Sequence, residues 1–400
     1  MKVIVQKFGG TSVSSKERRA LVIEKVLSAI KDGFSPVVVV SAMGRKGDPY
    51  ATDTLLSLID IDFKNHNLQA SDLLMGCGEI ISTVIMSNDL NKKSIDAVPL
   101  LGGQAGIITD NEFNNASVLR VDANNLIKIL KSGKIPVVAG FQGLSEDGFL
   151  TTLGRGGSDV TASLLGSALN AERVEIYTDV DGIMTADPRV VKDAALIEEI
   201  SYTEVFQFAD QGAKVIHPRA VEIAARANIP LVVKNTLNNC VGTLINNIGN
   251  TNNTNVIDGI TQIDNRTQIK FSTKVNKDNI NYPDILDILA ENNISIDLIN
   301  VFPEENIFTI DKKDFKKFDA ISKSLNLNYT YEEDCSKISL IGSRMAGKPG
   351  VMAKIIKILR NEKINVLQTA DSHETIWCLV KTNLASSAIN ALHSELCSCK

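Results

Sequence analysis

Residues 5–13 read VQKFGGTSV. A short apolar run, Val3-Ile4-Val5, leads into it, and a helical pattern from Ser14 to Lys31 follows. A strand-to-helix loop with paired glycines can turn backbone N–H groups toward an anion and let the backbone approach it closely. Lys7 adds a mobile positive charge, and Gly9, Gly10, Thr11 and Ser12 suit a phosphate cradle. A plain turn with an exposed lysine explains the same residues about as well, because glycine pairs are common. The loop is not a Walker A loop. The nearest match to that pattern, GSRMAGKP at 342–349, has Pro349 where a magnesium-holding hydroxyl is required and reads as coincidence.

Outward from this loop, β-branched runs alternate with helical patterns through the first 240 residues. Strands are expected at 2–7, 37–40, 95–100, 136–140, 173–178 and 230–233, with helices at 15–31, 71–90, 122–132, 158–170, 201–209 and 218–227. Such alternation predicts a mostly parallel sheet covered on both faces, with ligands at the carboxyl ends of its strands. The Asn-rich stretch NNIGNTNNTN (246–255) reads as a linker. Beyond it the sequence repeats: 285–310 aligns without gaps on 355–380. Each copy has an amphipathic helix, a strand, a loop and another strand, with one more strand ahead of it. That is a βαββ unit used twice, too small to bury its core alone.

Three further motifs fall after expected strands. TLGRGGSDVTA (152–162) opens a helix that Ser158 or Asp159 can cap. Capping does not explain Arg155 among three glycines, whose guanidinium can grip a carboxylate or phosphate bidentately. Asp159 suits a partner for Lys7. EIYTDVDGIMTADPRVV (175–191) carries more acids than its turns need, and with Arg189 it suits a nucleotide. Lys214 in GAKVIHPRA offers another phosphate charge. Singly, each is as well read as a solvated surface residue. Ser41 ends a valine run, Thr52 and Asp53 follow in a long loop, and Glu79 lies in GCGE (76–79). An amino-acid substrate needs an acid for its ammonium and an arginine for its carboxylate, though a solvated helix carboxylate accounts for Glu79 alone. His66, His217, His373 and His393 have no ligand-like spacing, so no metal site is expected.

QKFGGTSV, VVVVSAMG, GRGGSDVTA, YTDVDGIMTADPRVV and GAKVIHPRA, in this order, resemble the aspartokinase family across 1–240, and the repeats resemble paired ACT domains. SAMGRKGDPYATDTLL and ADSHETIWCLV further resemble the single-function Gram-positive type inhibited by diaminopimelate. The resemblance implies an amino-acid-kinase fold, an open, mostly parallel α/β sheet sandwiched by helices, followed by two α+β ACT domains. The implied division is a catalytic domain at 1–245, a linker at 246–257, and ACT domains at 258–335 and 336–400. The implied reaction moves the γ-phosphoryl of ATP, accompanied by Mg²⁺, to the side-chain carboxylate of L-aspartate, with no prosthetic group.

Carried over by motif, Lys7 and Ser158 neutralise the transferring phosphate and Asp159 orients Lys7. Arg155 binds the α-carboxylate of aspartate and Glu79 its ammonium, with Gly156, Gly157, Ser41 and Thr52 lining the substrate site. Phe8, Gly9, Gly10, Thr178, Asp179, Arg189 and Lys214 face ATP. Met184 stands where many relatives have Tyr. Effector contacts are expected at Asn281, Tyr282 and Asp284, at a helix N-terminus that favours a carboxylate, and at Asp297, which can accept an ammonium. Lysine or diaminopimelate is the implied effector, with threonine a further candidate, and the ACT domains imply a homodimer or higher oligomer. Kinases of the same fold that act on glutamate, acetylglutamate, carbamate or UMP are the alternative enzymes. A non-catalytic amino-acid sensor is the alternative class.

Composition agrees with a water-soluble enzyme. The 400 residues suffice for two or three domains. A net charge of −5 gives no argument for nucleic acid or an anionic membrane. No apolar run reads as a spanning helix or a secretion signal. The scattered cysteines (77, 240, 335, 378, 397, 399) form no CxxC pair and imply reduced, cytoplasmic thiols.

Overall fold

The computed structural model describes residues 1–400 except 214, 252–254, 273–281, 326, 346 and 398–400. The chain forms two compact units, and they interleave along the sequence. The first is Met1–Ile183, Leu196–Ala209 and Lys214–Thr251; the second is Met184–Ala195, Asp210–Ala213 and Asn252–Lys400.

The strands of the first unit are β1 (Lys2–Phe8), β2 (Phe34–Val40), β3 (Ala97–Leu100), β4 (Ile107–Thr109), β5 (Val118–Val121), β6 (Ile135–Ala139), β7 (Gln142–Ser145), β8 (Leu150–Thr152), β9 (Arg173–Thr178), β10 (Glu199–Ser201), β11 (Leu231–Asn235) and β12 (Thr243–Asn246). Eight of them make one sheet in the order β10-β12-β11-β9-β1-β2-β6-β3, and only the β11–β12 junction is antiparallel. Its central strands are valine-rich and fully buried, as in Val37–Val40, because helices cover both faces. On the Phe8 face, the helices Lys16–Lys31 and Leu68–Asn91 bury Val22, Val26, Met86 and Leu90 against it.

The helix Leu68–Asn91 is long and apolar enough, by length and composition, to cross a membrane. It buries Met75, Met86 and Leu90 and carries the buried Glu79, so it packs as a core helix. A second sheet, β5-β4-β7-β8, was not legible in the sequence, because its strands are three or four residues long. Asp72 ties that helix to it by accepting from the Asn114 N–H and from the Thr152 N–H and hydroxyl.

The second unit contains β13 (Gly259–Ser272), β14 (Ile296–Val301), β15 (Glu305–Asp311), β16 (Tyr329–Ile341), β17 (Gln368–Asp371) and β18 (Thr375–Lys381), in the order β14-β15-β13-β16-β18-β17. Its two long central strands are each shared. Gly259–Ile263 pairs only with Lys337–Ile341, whereas Arg266–Ser272 lies between β15 and the N-terminal half of β16. The register breaks where Asn265 (φ 59°) and Asp334 (φ 55°) enter the left-handed region. Each half is therefore four-stranded, and the second takes Gly259–Ile263 from ahead of the first repeat. Ile260 packs in one core with Ile338 and Leu340, while Ile269 and Phe271 pack in another with Phe308 and Phe318.

The strand edge at Ile260 is capped by Met184–Ala195, where the Ile260 N–H donates to the Thr185 carbonyl at 2.8 Å. Thr185 also meets His393 Nε2 at 2.8 Å, and Gln211 Oε1 accepts from the Trp377 indole at 2.8 Å. The 246–257 stretch starts on the last residue of β12 and reaches Ile257, which is buried in the second core.

Candidate functional site

A cleft of about 320 Å³ opens at the carboxyl ends of β1 and β2. It brings together Lys7, Gly10, Ser41, Thr52, Glu79, Arg155, Gly156, Gly157, Ser158 and Asp159 from segments far apart in sequence.

Lys7 projects from β1, and its Nζ lies 2.6 Å from Asp159 Oδ1 in the first turn of the helix Gly157–Ala168. Both side chains are largely shielded, which holds the lysine at the N-terminus of that helix. The turn into the helix uses Gly156 at φ 73°, and a Cβ there would collide with the His217 ring. Gly10 is required for a different reason. A Cβ on it would sit 2.5 Å from the Ala42 carbonyl oxygen, so the glycine loop and the Ser41 loop can touch only without a side chain. The Gly44 N–H donates to the Gly10 carbonyl at 3.0 Å and locks this contact.

Glu79 is 2% exposed. Its Oε1 accepts from the Ala42 N–H at 3.0 Å and its Oε2 has no partner. Burial pushes its pKa up to about 8, since a single backbone donor compensates little. Arg155 stands exposed on the same cleft. An arginine and a buried, under-satisfied carboxyl on one cleft complement the carboxylate and ammonium of an amino acid. Lys7 and the amides of the glycine loops complement a phosphate.

Other candidates fall elsewhere. The Phe8 side chain is fully buried on the opposite face of β1 and stacks on Tyr177 at 4.7 Å, so it cannot touch a nucleotide in the cleft. The alternation of a strand explains why, since Lys7 and Phe8 must point apart. Only the Phe8 carbonyl takes part, accepting from the Ser41 N–H. The Gly9 N–H is used by the Tyr177 carbonyl. Thr178 ends β9, and Asp179, the next residue, pairs with Arg45 at 2.5 Å. Arg45 carries little signal in the sequence beyond its place four residues after Ser41 in a glycine-bounded loop.

Arg189 is held by Asp187 at 2.6 Å and, like Met184, belongs to a segment of the second unit. Lys214 and Asn281 lie outside the described residues, and Tyr282 and Asp284 are described only as part of the helix Tyr282–Glu291. Asp297 is not an open carboxylate. It pairs with Lys337, whose side chain is buried, and accepts from the Leu298 N–H. An effector ammonium at Asp297 would have to displace that lysine. Among the described residues no group of three or more His, Cys, Asp or Glu could hold a metal ion.

Comparison with known proteins gives a consistent result. Residues 2–235 match the amino acid kinase family and residues 330–394 match an ACT domain. The chain is 42% identical to aspartokinase 1 of Bacillus subtilis over 398 residues, covering 98% of both. It is 37% identical to the aspartokinase of Geobacillus stearothermophilus, covering 98% of this chain and 97% of that one. Among solved structures it resembles E. coli aspartokinase III in complex with aspartate and ADP (TM-score 0.77, 27% identity) and with lysine and aspartate (0.79, 28%). Each comparison covers 99% of this chain and 100% of the other.

Proposed function

The chain belongs to the aspartokinase family, and from that premise we propose how its residues divide the work. The reaction is transfer of the γ-phosphoryl of ATP to the side-chain carboxylate of L-aspartate, giving 4-phospho-L-aspartate, under feedback control through ACT domains. Catalysis is assigned to 1–245, apart from the segments that fold with the second unit, and regulation to 258–400.

The acceptor carboxylate is already ionised at neutral pH, so no general base is needed. The barrier is repulsion between a carboxylate and a polyanion, and catalysis consists of positioning plus positive charge. Lys7, held by Asp159, and Ser158 with its helix N-terminus receive the transferring phosphoryl group. Arg155 takes the α-carboxylate and Glu79 the ammonium, while Ser41, Thr52, Gly156 and Gly157 shape the pocket. Gly9, Gly10, Thr178, Asp179, Arg189 and Lys214 serve ATP. Bound with the nucleotide, Mg²⁺ would supply charge that neutralises its phosphate oxygens.

The observation that carries this assignment is the joint presence in one cleft of the Lys7–Asp159 pair, Arg155 and the under-satisfied Glu79. The test is ADP release dependent on L-aspartate, with the product trapped as its hydroxamate. Release that is equal with glutamate, carbamate or UMP would overturn it, and no release with any acceptor would favour a sensor.

The effector is assigned to the first βαββ repeat, near Asn281, Tyr282 and Asp284. Asp297 acts through Lys337. Lysine or diaminopimelate, alone or with threonine, is the expected ligand, in a homodimer or higher oligomer in the cytoplasm. The aspartokinase III complex with lysine supports an amino acid as the effector class. Asp297→Ala should weaken inhibition and leave uninhibited turnover nearly intact. Unchanged inhibition would remove Asp297 from the effector path.

A further inference from the structure

Gln6 and Lys7 are neighbours on β1 and point to opposite faces of the sheet. Lys7 enters the catalytic cleft, whereas Gln6 enters a second cavity of about 400 Å³. That cavity lies between β9, β11, the C-terminal half of the helix Lys16–Lys31 and the 235–240 loop. Its floor is Glu175, which is 2% exposed.

Both oxygens of Glu175 are engaged. Arg173 donates to Oε1 from Nε at 3.0 Å and from its terminal nitrogen at 2.9 Å, and Lys234 Nζ is 3.3 Å away. Oε2 accepts from Gln6 Nε2 at 2.9 Å and from the Tyr177 hydroxyl at 3.0 Å. Across the cavity, Lys25 Nζ donates to the Asn238 carbonyl at 2.6 Å and to Asn239 Oδ1 at 2.5 Å. Three cations thus share the cavity with one buried carboxylate, which two of them contact. The other acids, Glu24 and Asp32, stand at the exposed rim, where water screens them. Burial, and next the charge of Lys234, depress the pKa of Lys25, so its ammonium is under-compensated where it stands.

A self-contained charge cluster would pin the helix and the loop to the sheet. It would not explain two features. The space is left open at a volume above that of the catalytic cleft. Gln6 is 1% exposed with its amide nitrogen satisfied, yet its carbonyl oxygen has no donor. A buried acceptor without a donor is costly and needs a reason. One ligand answers both: an anion for Lys25 and Lys234 that also carries a hydrogen-bond donor for Gln6. An ionised carboxylate or sulfate has the charge but no donor. A phosphate group can have both: the monohydrogen free ion keeps a P–OH throughout the neutral range, and a monoester keeps one below its second ionisation, near pH 6.

We propose that this cavity is a second binding site, separate from the cleft, for a phosphate group, either the free ion or a small phosphomonoester. An occupant would reach the catalytic loops through existing contacts. Tyr177 stacks on Phe8, Asn235 donates to Asp181 at 2.7 Å, and the Thr236 and Ser12 hydroxyls are 2.7 Å apart.

The test is thermal unfolding of the full chain in inorganic phosphate and in sulfate at matched ionic strength. Ligand that binds only the folded state raises the midpoint. Wild type and Lys7→Ala should both gain several degrees in phosphate and clearly less in sulfate. The Lys25→Met/Lys234→Met variant should lose most of that gain, and Lys25→Arg should keep it. If the methionine variant does not fold, ³¹P line broadening of phosphate by wild type saturated with ADP and aspartate replaces it. Such broadening should survive blockage of the cleft. The proposal is overturned by no gain in wild type, by a gain abolished in Lys7→Ala, by a gain retained in the methionine variant, or by equal gains in sulfate. A larger gain with glycerol phosphate than with the free ion assigns the monoester, and the reverse assigns the ion.

Discussion

Glu79 and Glu175 are equally buried, at 2% exposure, and line different cavities. Burial pulls the pKa of each upward. For Glu175, Lys234, Gln6, Arg173 and Tyr177 more than reverse it, and the group ends below the usual carboxylate value. For Glu79 only backbone donors oppose burial, and the group ends at about 8. Depth alone therefore does not decide what a buried acid is; the donors within reach do. Glu175 is closed by its own chain. Glu79 is left one cation short, and in a cleft that also holds Arg155 the missing cation is the substrate's.

The largest effects should separate the two cavities. Lys7→Ala removes charge at the transferring phosphate and should cut kcat by about 10²–10³-fold, read as ADP release, with the fold intact. Glu175→Ala should do the reverse. It leaves Arg173 and Lys234 facing no carboxylate and should cost about 3–5 kcal/mol of stability in urea unfolding, while the folded fraction turns over near the wild-type rate. A Glu175→Ala protein as stable as wild type would show that the cations do not depend on it, and the contrast would fail.

Smaller effects should sharpen the reading of the cleft. Arg155→Ala loses a charged hydrogen bond and should raise the KM for aspartate by about 10–100-fold at little cost in kcat. An unchanged KM would move the α-carboxylate elsewhere. Glu79→Gln should narrow the preference for aspartate over succinate, which lacks the ammonium, by about tenfold, by slowing aspartate most. If the full preference survives, another group reads the ammonium.

The cleft was far more legible than its surroundings, and the reason is local. Lys7, Arg155 and Asp159 sit in glycine loops whose composition exceeds what turns need, so their excess could be read from the sequence. Phe8 was misassigned because it is contiguous with the motif, although strand alternation already sent it to the other face. The Glu175 cavity draws on residues 6, 25, 173 and 234, each unremarkable alone and joined only by the strand order β11-β9-β1. The division of the second unit was equally hidden. The repeat at 285–310 and 355–380 is visible as sequence, but the division of β13 and β16 between the two halves at Asn265 and Asp334 leaves no periodic trace. Nor does anything in 184–195 mark it as belonging with the ACT repeats, since its Asp-Pro turn reads the same in either setting.

The smallest effect is also the most diagnostic, because the two glutamates should give pH slopes of opposite sign. Glu79 keeps its proton longer in the folded than in the unfolded chain. Its contribution is therefore fully present below the unfolded value, near 4.5, and is lost as pH rises toward about 8. Glu175, with a lowered pKa, contributes above the unfolded value and loses that contribution as pH falls through its folded one. Between pH 5 and 8 the stability of the substrate-free enzyme should thus decline with a slope that Glu79→Gln removes, at most about 1.4 kcal/mol per pH unit for one proton. Aspartate should cancel the same slope. Its ammonium replaces the proton, so its apparent affinity should climb by up to about tenfold per unit from pH 6 and level off above about 8. A KM for aspartate that is flat from pH 6 to 9 in wild type would mean that Glu79 binds substrate without giving up a proton. The difference between the two glutamates would then be one of packing only.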